Sequence, residues 1–250
     1  MAELQEIVTF LDRELKTTEV RDYPGALNGL QLENNGTVKR VFSAVDASLA
    51  VIQEAAKEGG LLLVHHGMFW QGAQKITGPF FQKLKTAIDA NLAIYSSHLP
   101  LDFHPEIGNN ILLARAIGLK SIQPVLPKDG FATAVVGEWV GTRNELEIAI
   151  GNAVGRSVQT CGCGSGNPQK VAVMTGGAGS EVAKIAELGI DSFVTGEGPH
   201  WSFIEAEERK MNVFYAGHYA TETFGVRALG DLIAEKFGIE ATFLARPSGL

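Results

Sequence analysis

His65 and His66 follow the apolar run Leu61-Leu62-Leu63-Val64, and this double histidine is the first place where the sequence offers chemistry. Consecutive side chains on a strand diverge. At the strand's exit, before Gly67 relaxes the backbone, both imidazoles can enter one cleft and serve two different metal ions. As packing residues they would need partners for four ring nitrogens, and a buried polar atom without one costs roughly 1–3 kcal/mol. Metal ligation is the simpler reading. His218 and Glu222 stand four residues apart at a strand-to-helix junction, where both can project toward one cation. His98 and Asp102 have the same spacing. A capping acid beside a satisfied histidine would account for either pair alone, but the pattern occurs twice.

Three imidazoles and two carboxylates, from His65, His66, Asp102, His218 and Glu222, can hold two divalent ions with one carboxylate bridging. Nitrogen and oxygen donors without thiolate suit zinc, iron, manganese, nickel or cobalt. Two carboxylates leave such a site positively charged, which favours a small anionic ligand. All six histidines, at 65, 66, 98, 104, 200 and 218, fall at or just after an expected strand end. That is where open α/β sheets bind ligands. His98 is read as an orienting group behind the ligands. The candidates for catalytic work are His98, Glu197 and His200, with Glu197 standing in the second half where His65 stands in the first. His104 and His200 are equally well explained as surface or loop histidines and as proton shuttles. Phe69, Trp70 and Tyr219 flank the ligands and can either stack on a heterocycle or simply pack. The loop TGGAGS (175–180) lacks the Lys-Ser/Thr of a phosphate loop and is read as a tight strand-to-helix turn. No organic cofactor site is expected.

An alternating scaffold must position these groups. Leu4, Ile7, Val8, Leu11 and Leu15 recur at helical spacing, predicting a helix over the first 16 residues. Strands are expected at 38–45, 61–64 and 92–96, and helices at 48–58, 80–90 and 106–117. A second series has strands at 171–175, 192–195 and 213–216, and helices at 180–188, 200–210 and 223–237. Alternation of this kind predicts an α/β fold with helices covering parallel or mixed sheets. The segment AIYSSHLPLD (93–102) lies over VFYAGHYATE (213–222), His98 over His218 and Asp102 over Glu222. The expectation is therefore an internal pseudo-repeat, two similar α/β halves packed around a dinuclear metal cleft. Residues 1–125 form the first half, with His65, His66 and Asp102. Residues 171–250 form the second, with His218 and Glu222. Between them, 126–170 reads as a structured linker, with a strand at 131–140, a helix at 145–154 and a loop CGCGSGNP at 161–168.

The 250 residues, 45% of them hydrophobic, suffice for one large core or two small ones. Lysine and arginine number 21 against 28 acids, a net charge of -7, which disfavours a nucleic-acid partner. The N-terminal segment has no signal-type apolar region and no later run reaches membrane-span length, so a cytoplasmic protein is expected. Cys161 and Cys163, one residue apart, would form a strained disulfide and cannot close a thiolate metal site alone.

NGLQLE (28–33), LLLVHHGMFW (61–70), YSSHLPLD (95–102), TGGAGS, TGE (195–197) and AGHYATE (216–222) resemble, in this order, the motifs of the Nif-three-like family. Its members carry the name GTP cyclohydrolase I type 2 homologue. The resemblance covers nearly the whole chain and is closest to the short bacterial form without an inserted domain. It implies a dinuclear site on His65, His66, Asp102, His218 and Glu222, and a homohexameric ring with its sites facing the interior. It also implies metal-assisted hydrolysis of the guanine imidazole ring, a cyclic amidine C–N hydrolysis. Two functions remain open: a metal-dependent hydrolase acting on a nucleotide or N-heterocycle, and a metal-handling or metal-insertion protein without turnover. A ring-shaped interaction scaffold is a third.

Overall fold

Leu61, Leu62, Leu63 and Val64 are buried because their strand, Gly60–His66, is the central member of a five-stranded sheet. Across that sheet the order is Glu240–Phe243, Arg40–Asp46, Gly60–His66, Leu92–Ser96 and Gly29–Leu32. The first four strands are parallel and the last is antiparallel. A central parallel strand covered on both faces excludes water from every side chain, which is why it reads as an unbroken apolar run. The strand is longer than the expected 61–64. Asp46 pairs in register with His66, so both histidines belong to the strand rather than to the turn beyond it.

The computed structural model describes residues 1–249. This first sheet belongs to a unit made of Met1–Leu101 and Gly225–Arg246. The helices Leu49–Ala55 and Gly78–Asp89 cover it through Val51, Ile52, Ala55 and Ala87, which cluster with Phe42, Leu62, Val64 and Ile94. Ser48 caps the first of these helices, its hydroxyl accepting from the Val51 amide at 3.2 Å. The helix Leu4–Glu14 is tied to the sheet by the Tyr95 hydroxyl, which donates to Asp12 at 2.7 Å. Phe10 meets Phe237 edge to face, with centroids 6.0 Å apart.

The second unit, Asp102–Phe224 with the C-terminal residues from Pro247, holds a six-stranded sheet. Its order is Lys120–Lys128, Phe131–Glu138, Lys170–Val173, Ser192–Thr195, Asn212–Tyr215 and Gln159–Gly162. Lys170–Val173, Ser192–Thr195 and Asn212–Tyr215 are mutually parallel, and the other strands join antiparallel. Alternation along the strands sorts side chains to two faces. Val171, Val173, Val194 and Phe214 pack with Leu113, Ile117, Leu146 and Ile150. Ala172, Phe193 and Val213 pack with Val182, Ile185 and Ala206. A capping box fixes the start of the helix Arg143–Val154: the Thr142 hydroxyl accepts from the Glu145 amide while the Glu145 carboxylate accepts from the Thr142 amide, an arrangement worth about 1 kcal/mol.

The alternating α/β reading holds, and the compact units divide the chain elsewhere than at 125/126 and 170/171. Segment 126–170 contributes Phe131–Glu138 and Gln159–Gly162 to the second sheet, Asp102 falls with the second unit, and Gly225–Arg246 falls with the first. Strand pairing ignores sequence distance, so the last strand, Glu240–Phe243, lies against Arg40–Asp46. Besides the two-residue strands Ala2–Glu3 and Thr37–Val38, which pair antiparallel, four strands were not expected from the sequence: Gly29–Leu32, Lys120–Lys128, Gln159–Gly162 and Glu240–Phe243. Lys120–Lys128 is largely exposed and carries Pro124 and Pro127, so it has no hydrophobic period to read. Cys161 sits on one of these strands rather than in the expected loop. No helix among the described residues is long and apolar enough to cross a membrane.

Candidate metal centre

In the first unit three imidazoles converge where the strands end. His65, His66 and His98 each place a ring nitrogen within 4.8 Å of the others. His65 is fully buried, and its Nδ1 lies 2.9 Å from the carbonyl oxygen of Ser97. A carbonyl only accepts, so Nδ1 carries the proton and Nε2 presents a lone pair. His66 Nδ1 is 2.9 Å from Asp46 Oδ1. His98 Nδ1 is 2.9 and 3.1 Å from the two oxygens of Asp22. Each ring is therefore held by an oxygen acceptor behind it, the arrangement that fixes the tautomer and aim of metal-binding histidines.

The strands explain why these acceptors are there. Asp46 ends the strand beside Gly60–His66, level with His66. Ser97 follows Leu92–Ser96, where its amide continues the ladder to Val64. Asp22 is reached from the loop 18–28, and it accepts from the Asn28 side chain and from the amides of Tyr23 and Leu99. Burial raises the Asp22 carboxyl, but hydrogen bonding and charge from His98, with help from Asn28 and Tyr23, hold it below its ordinary value. Asp22 is thus an anchoring carboxylate. Gly67 leaves room for the Gln31 side-chain amide, whose oxygen accepts from the Met68 backbone amide at 2.8 Å. Trp70 stands edge-on to His98 and His66, at 4.9 and 5.6 Å between centroids. Phe69 instead packs on Phe80.

In the second unit His218 begins the short helix His218–Thr221, and Glu222 follows it. The His218 Nε2 lies 3.1 Å from Glu222 Oε1, and its Nδ1 lies 2.9 Å from Glu197 Oε1. Hydrogen bonding to Glu222 outweighs the effect of burial and, with the charges of Glu222 and Glu197, raises His218 to about 9. Glu222 is buried against the glycine loop: Gly176 has φ +66, and a Cβ on it would stand 2.3 Å from Glu222 Oε1. The loop is indeed a turn into a helix, and its small residues make room for a candidate ligand. Asp102 is also buried; its Oδ1 accepts from the Asn109 side-chain Nδ2 at 2.8 Å and from the Thr175 hydroxyl at 3.4 Å.

The donors fit a divalent cation in kind: imidazoles with Nδ1 engaged and carboxylates held by hydrogen bonds. Glu197 anchors His218. His98, expected to stand behind the ligands, has the same construction as His65 and His66 and lies among them. The Nδ1 of His104 accepts from the amides of Glu106 and Ile107 at 3.2 Å and ties a turn. His200 is exposed just before the helix Trp201–Glu208. Tyr219 is buried. Asp22 and Asp46 were missed by sequence reasoning. Asp46 had a signal, its position at the end of a strand that neighbours the double histidine, whereas Asp22 sits in a loop without pattern. The Cys161 and Cys163 sulfurs are 3.6 Å apart, both free thiols. Burial first, then Cys163, pushes the Cys161 thiol up to about 12.

Residues 2–248 match the family model DUF34/NIF3, NGG1p interacting factor 3. A curated relative from Deinococcus radiodurans, GTP cyclohydrolase 1 type 2 homolog, is 41% identical over 249 residues, covering 98% of this chain and 94% of its own length. A relative of the same name from Pyrococcus abyssi is 36% identical over 253 residues, covering 99% and 100%. The crystal structure of TTHA1606 from Thermus thermophilus superposes with a TM-score of 0.90 at 36% identity, over the whole of both chains.

Proposed function

The chain belongs to the DUF34/NIF3 family, and from that premise we propose that His65, His66, Asp102, His218 and Glu222 together hold two divalent cations with which the protein hydrolyses a nucleotide or related N-heterocycle. One observation carries this reading. Each of the three ligand histidines has its Nδ1 on an oxygen acceptor, Ser97, Asp46 or Glu197, which makes Nε2 the atom that would face a cation; that of His218 already lies 3.1 Å from Glu222, its proposed fellow ligand. The relatives' name, GTP cyclohydrolase 1 type 2 homolog, supports the choice of reaction.

A tandem duplication as the origin of the donors belongs to the same proposal. In each unit three parallel strands in chain order end beside an antiparallel strand that precedes them in sequence. This strand is Gly29–Leu32 beside Leu92–Ser96 in one unit and Gln159–Gly162 beside Asn212–Tyr215 in the other. The cytoplasmic location and the homohexameric ring implied by the sequence motifs complete the reading, the ring being tested by light scattering.

When bound, the cations supply positive charge and Lewis acidity to the bond being hydrolysed. The chain's own residues do the positioning. Ser97, Asp46 and Glu197 keep protons on Nδ1 of His65, His66 and His218. Asn109 and Thr175 orient Asp102. His98, fixed by Asp22, holds a proton on Nδ1 and offers Nε2 to a reacting group, which makes it the proton carrier of choice. Trp70 packs edge-on beside His66 and His98.

A second reading is metal handling without turnover, favoured by the partial exposure of His66 and His218, at 19% and 30% of their side chains, which offers a route for exchange. Elemental analysis of the untagged protein and its five single-ligand alanine variants, followed by substrate profiling of the loaded protein, separates these. Two cations per chain, lost on ligand substitution, with turnover of a nucleotide or cyclic amidine, are expected. Tight binding without turnover, with rapid transfer to an apo-acceptor, selects metal handling. Retention of both cations by the double variant His65→Ala/His218→Ala rules out the site.

A further inference from the structure

Beside the candidate donors of the second unit lies a cavity of about 650 Å³, walled in part by Arg156, Glu197, His200, Phe203, Tyr215 and Gly217. Its size is that of a pocket for a nucleotide-sized molecule, and it borders the candidate metal centre directly. Glu197 is the carboxylate that holds His218, and Gly217 immediately precedes His218. Arg156 is brought to the same place by a specific backbone feature. Gly217 has φ +94, and a Cβ on it would stand 2.4 Å from a terminal nitrogen of the Arg156 guanidinium. A side chain at this position would have to push the guanidinium away from the chain next to His218.

The charges and rings of the wall define what the cavity would accept. Arg156 offers a planar fork of donors suited to phosphate or carboxylate. Glu197 lies on the same wall, where it holds His218. Tyr215 is held by a hydrogen bond between its hydroxyl and that of Ser202 at 2.8 Å, and Phe203 stays 40% exposed. An aromatic side chain left in water beside a fixed tyrosine is a surface for a flat ring.

We propose that this cavity recognises the acidic end of an aromatic ligand: Arg156 binds its phosphate or carboxylate group, and Phe203 with Tyr215 flank its ring. The inference rests on the proposed function only in placing the reacting end of that ligand toward His218; the anion pocket stands on the geometry of the second unit. It makes Arg156 a determinant of affinity and specificity and not a metal ligand.

Equilibrium titration of the full chain, metal-loaded and chelator-stripped, with guanosine, guanosine triphosphate and inorganic triphosphate tests it. Guanosine triphosphate should bind at least about tenfold more tightly than guanosine, the effect of one or two charge-assisted hydrogen bonds. Arg156→Gln should remove that difference in both forms while metal content stays at the wild-type level, and Arg156→Lys should restore part of it. Phe203→Ala should weaken guanosine and guanosine triphosphate alike and leave inorganic triphosphate unchanged. Wild-type affinity for the triphosphates in Arg156→Gln, equal binding of guanosine and its triphosphate, or triphosphate binding that vanishes on chelation would overturn the proposal. Failure of the hydrolase reading looks different: no turnover by the wild type, with the Arg156-dependent affinity intact.

Discussion

At the scale of single residues the candidate centre depends on atoms one bond beyond the donors. Asp46 touches His66 at Nδ1, is 44% exposed at its side chain and also faces the charge of Lys83, so its removal should chiefly disturb the aim of the imidazole. Asp46→Ala is expected to weaken cation binding about 10–100-fold, measured by competition with a chromophoric chelator, with an unchanged circular dichroism spectrum. His218 gives a pH signature. Its folded value of about 9 lies above the ordinary 6.5, so protonation stabilises the fold. That contribution is complete below pH 6.5 and is lost as pH rises through 9. Chelator-stripped protein should therefore melt at progressively lower temperature from pH 6.5 to 9, and His218→Gln should flatten the slope. At this scale residue type marked His65, His66, His218 and Glu222 as candidates, and the structure gives each ring an oxygen partner and buries Glu222. The sequence was silent for Asp22 and Asp46, because a carboxylate declares a role only when strand register or a loop brings it to a ring.

At the scale of elements the glycine turn after Lys170–Val173 carries a sharp test. Gly176→Ala should impose left-handed strain of roughly 1–2 kcal/mol and push a methyl group into Glu222 Oε1. Gly189, at φ +69 with nothing within 4 Å of a Cβ, supplies the control. Both alanine variants should lose similar stability in urea, while only Gly176→Ala should lose bound metal; equal metal content in the two would remove Glu222 from the ligand set. The buried parallel strands were legible because enclosure on two faces forces continuous apolar runs such as Leu61–Val64. Edge strands such as Lys120–Lys128 and Gln159–Gly162 were not, because half their environment is solvent and their residues answer to pairing partners rather than to a period.

At the scale of the whole molecule the proposed cations should appear as stability. With free cation at a hundredfold excess over the dissociation constant, one site adds about 2.7 kcal/mol, or roughly 5–11 °C in melting temperature for a chain of this size. The double variant His65→Ala/His218→Ala should show no such rise by differential scanning calorimetry. The α/β class was readable from alternation, whereas the unit boundaries were not. The final helix and strand read locally as the end of a second half, yet Glu240–Phe243 completes the sheet that begins with Gly29–Leu32. That late return has a consequence for biosynthesis. At about 5–20 residues per second, the ribosome releases the partner of Arg40–Asp46 roughly 10–40 s after that strand has emerged. Throughout this interval the nascent chain carries an open β edge beside its most apolar strand, a template for pairing with neighbouring chains. Chaperone occupancy on translating ribosomes should accordingly rise once residue 46 has cleared the exit tunnel and fall only when the last strand is out.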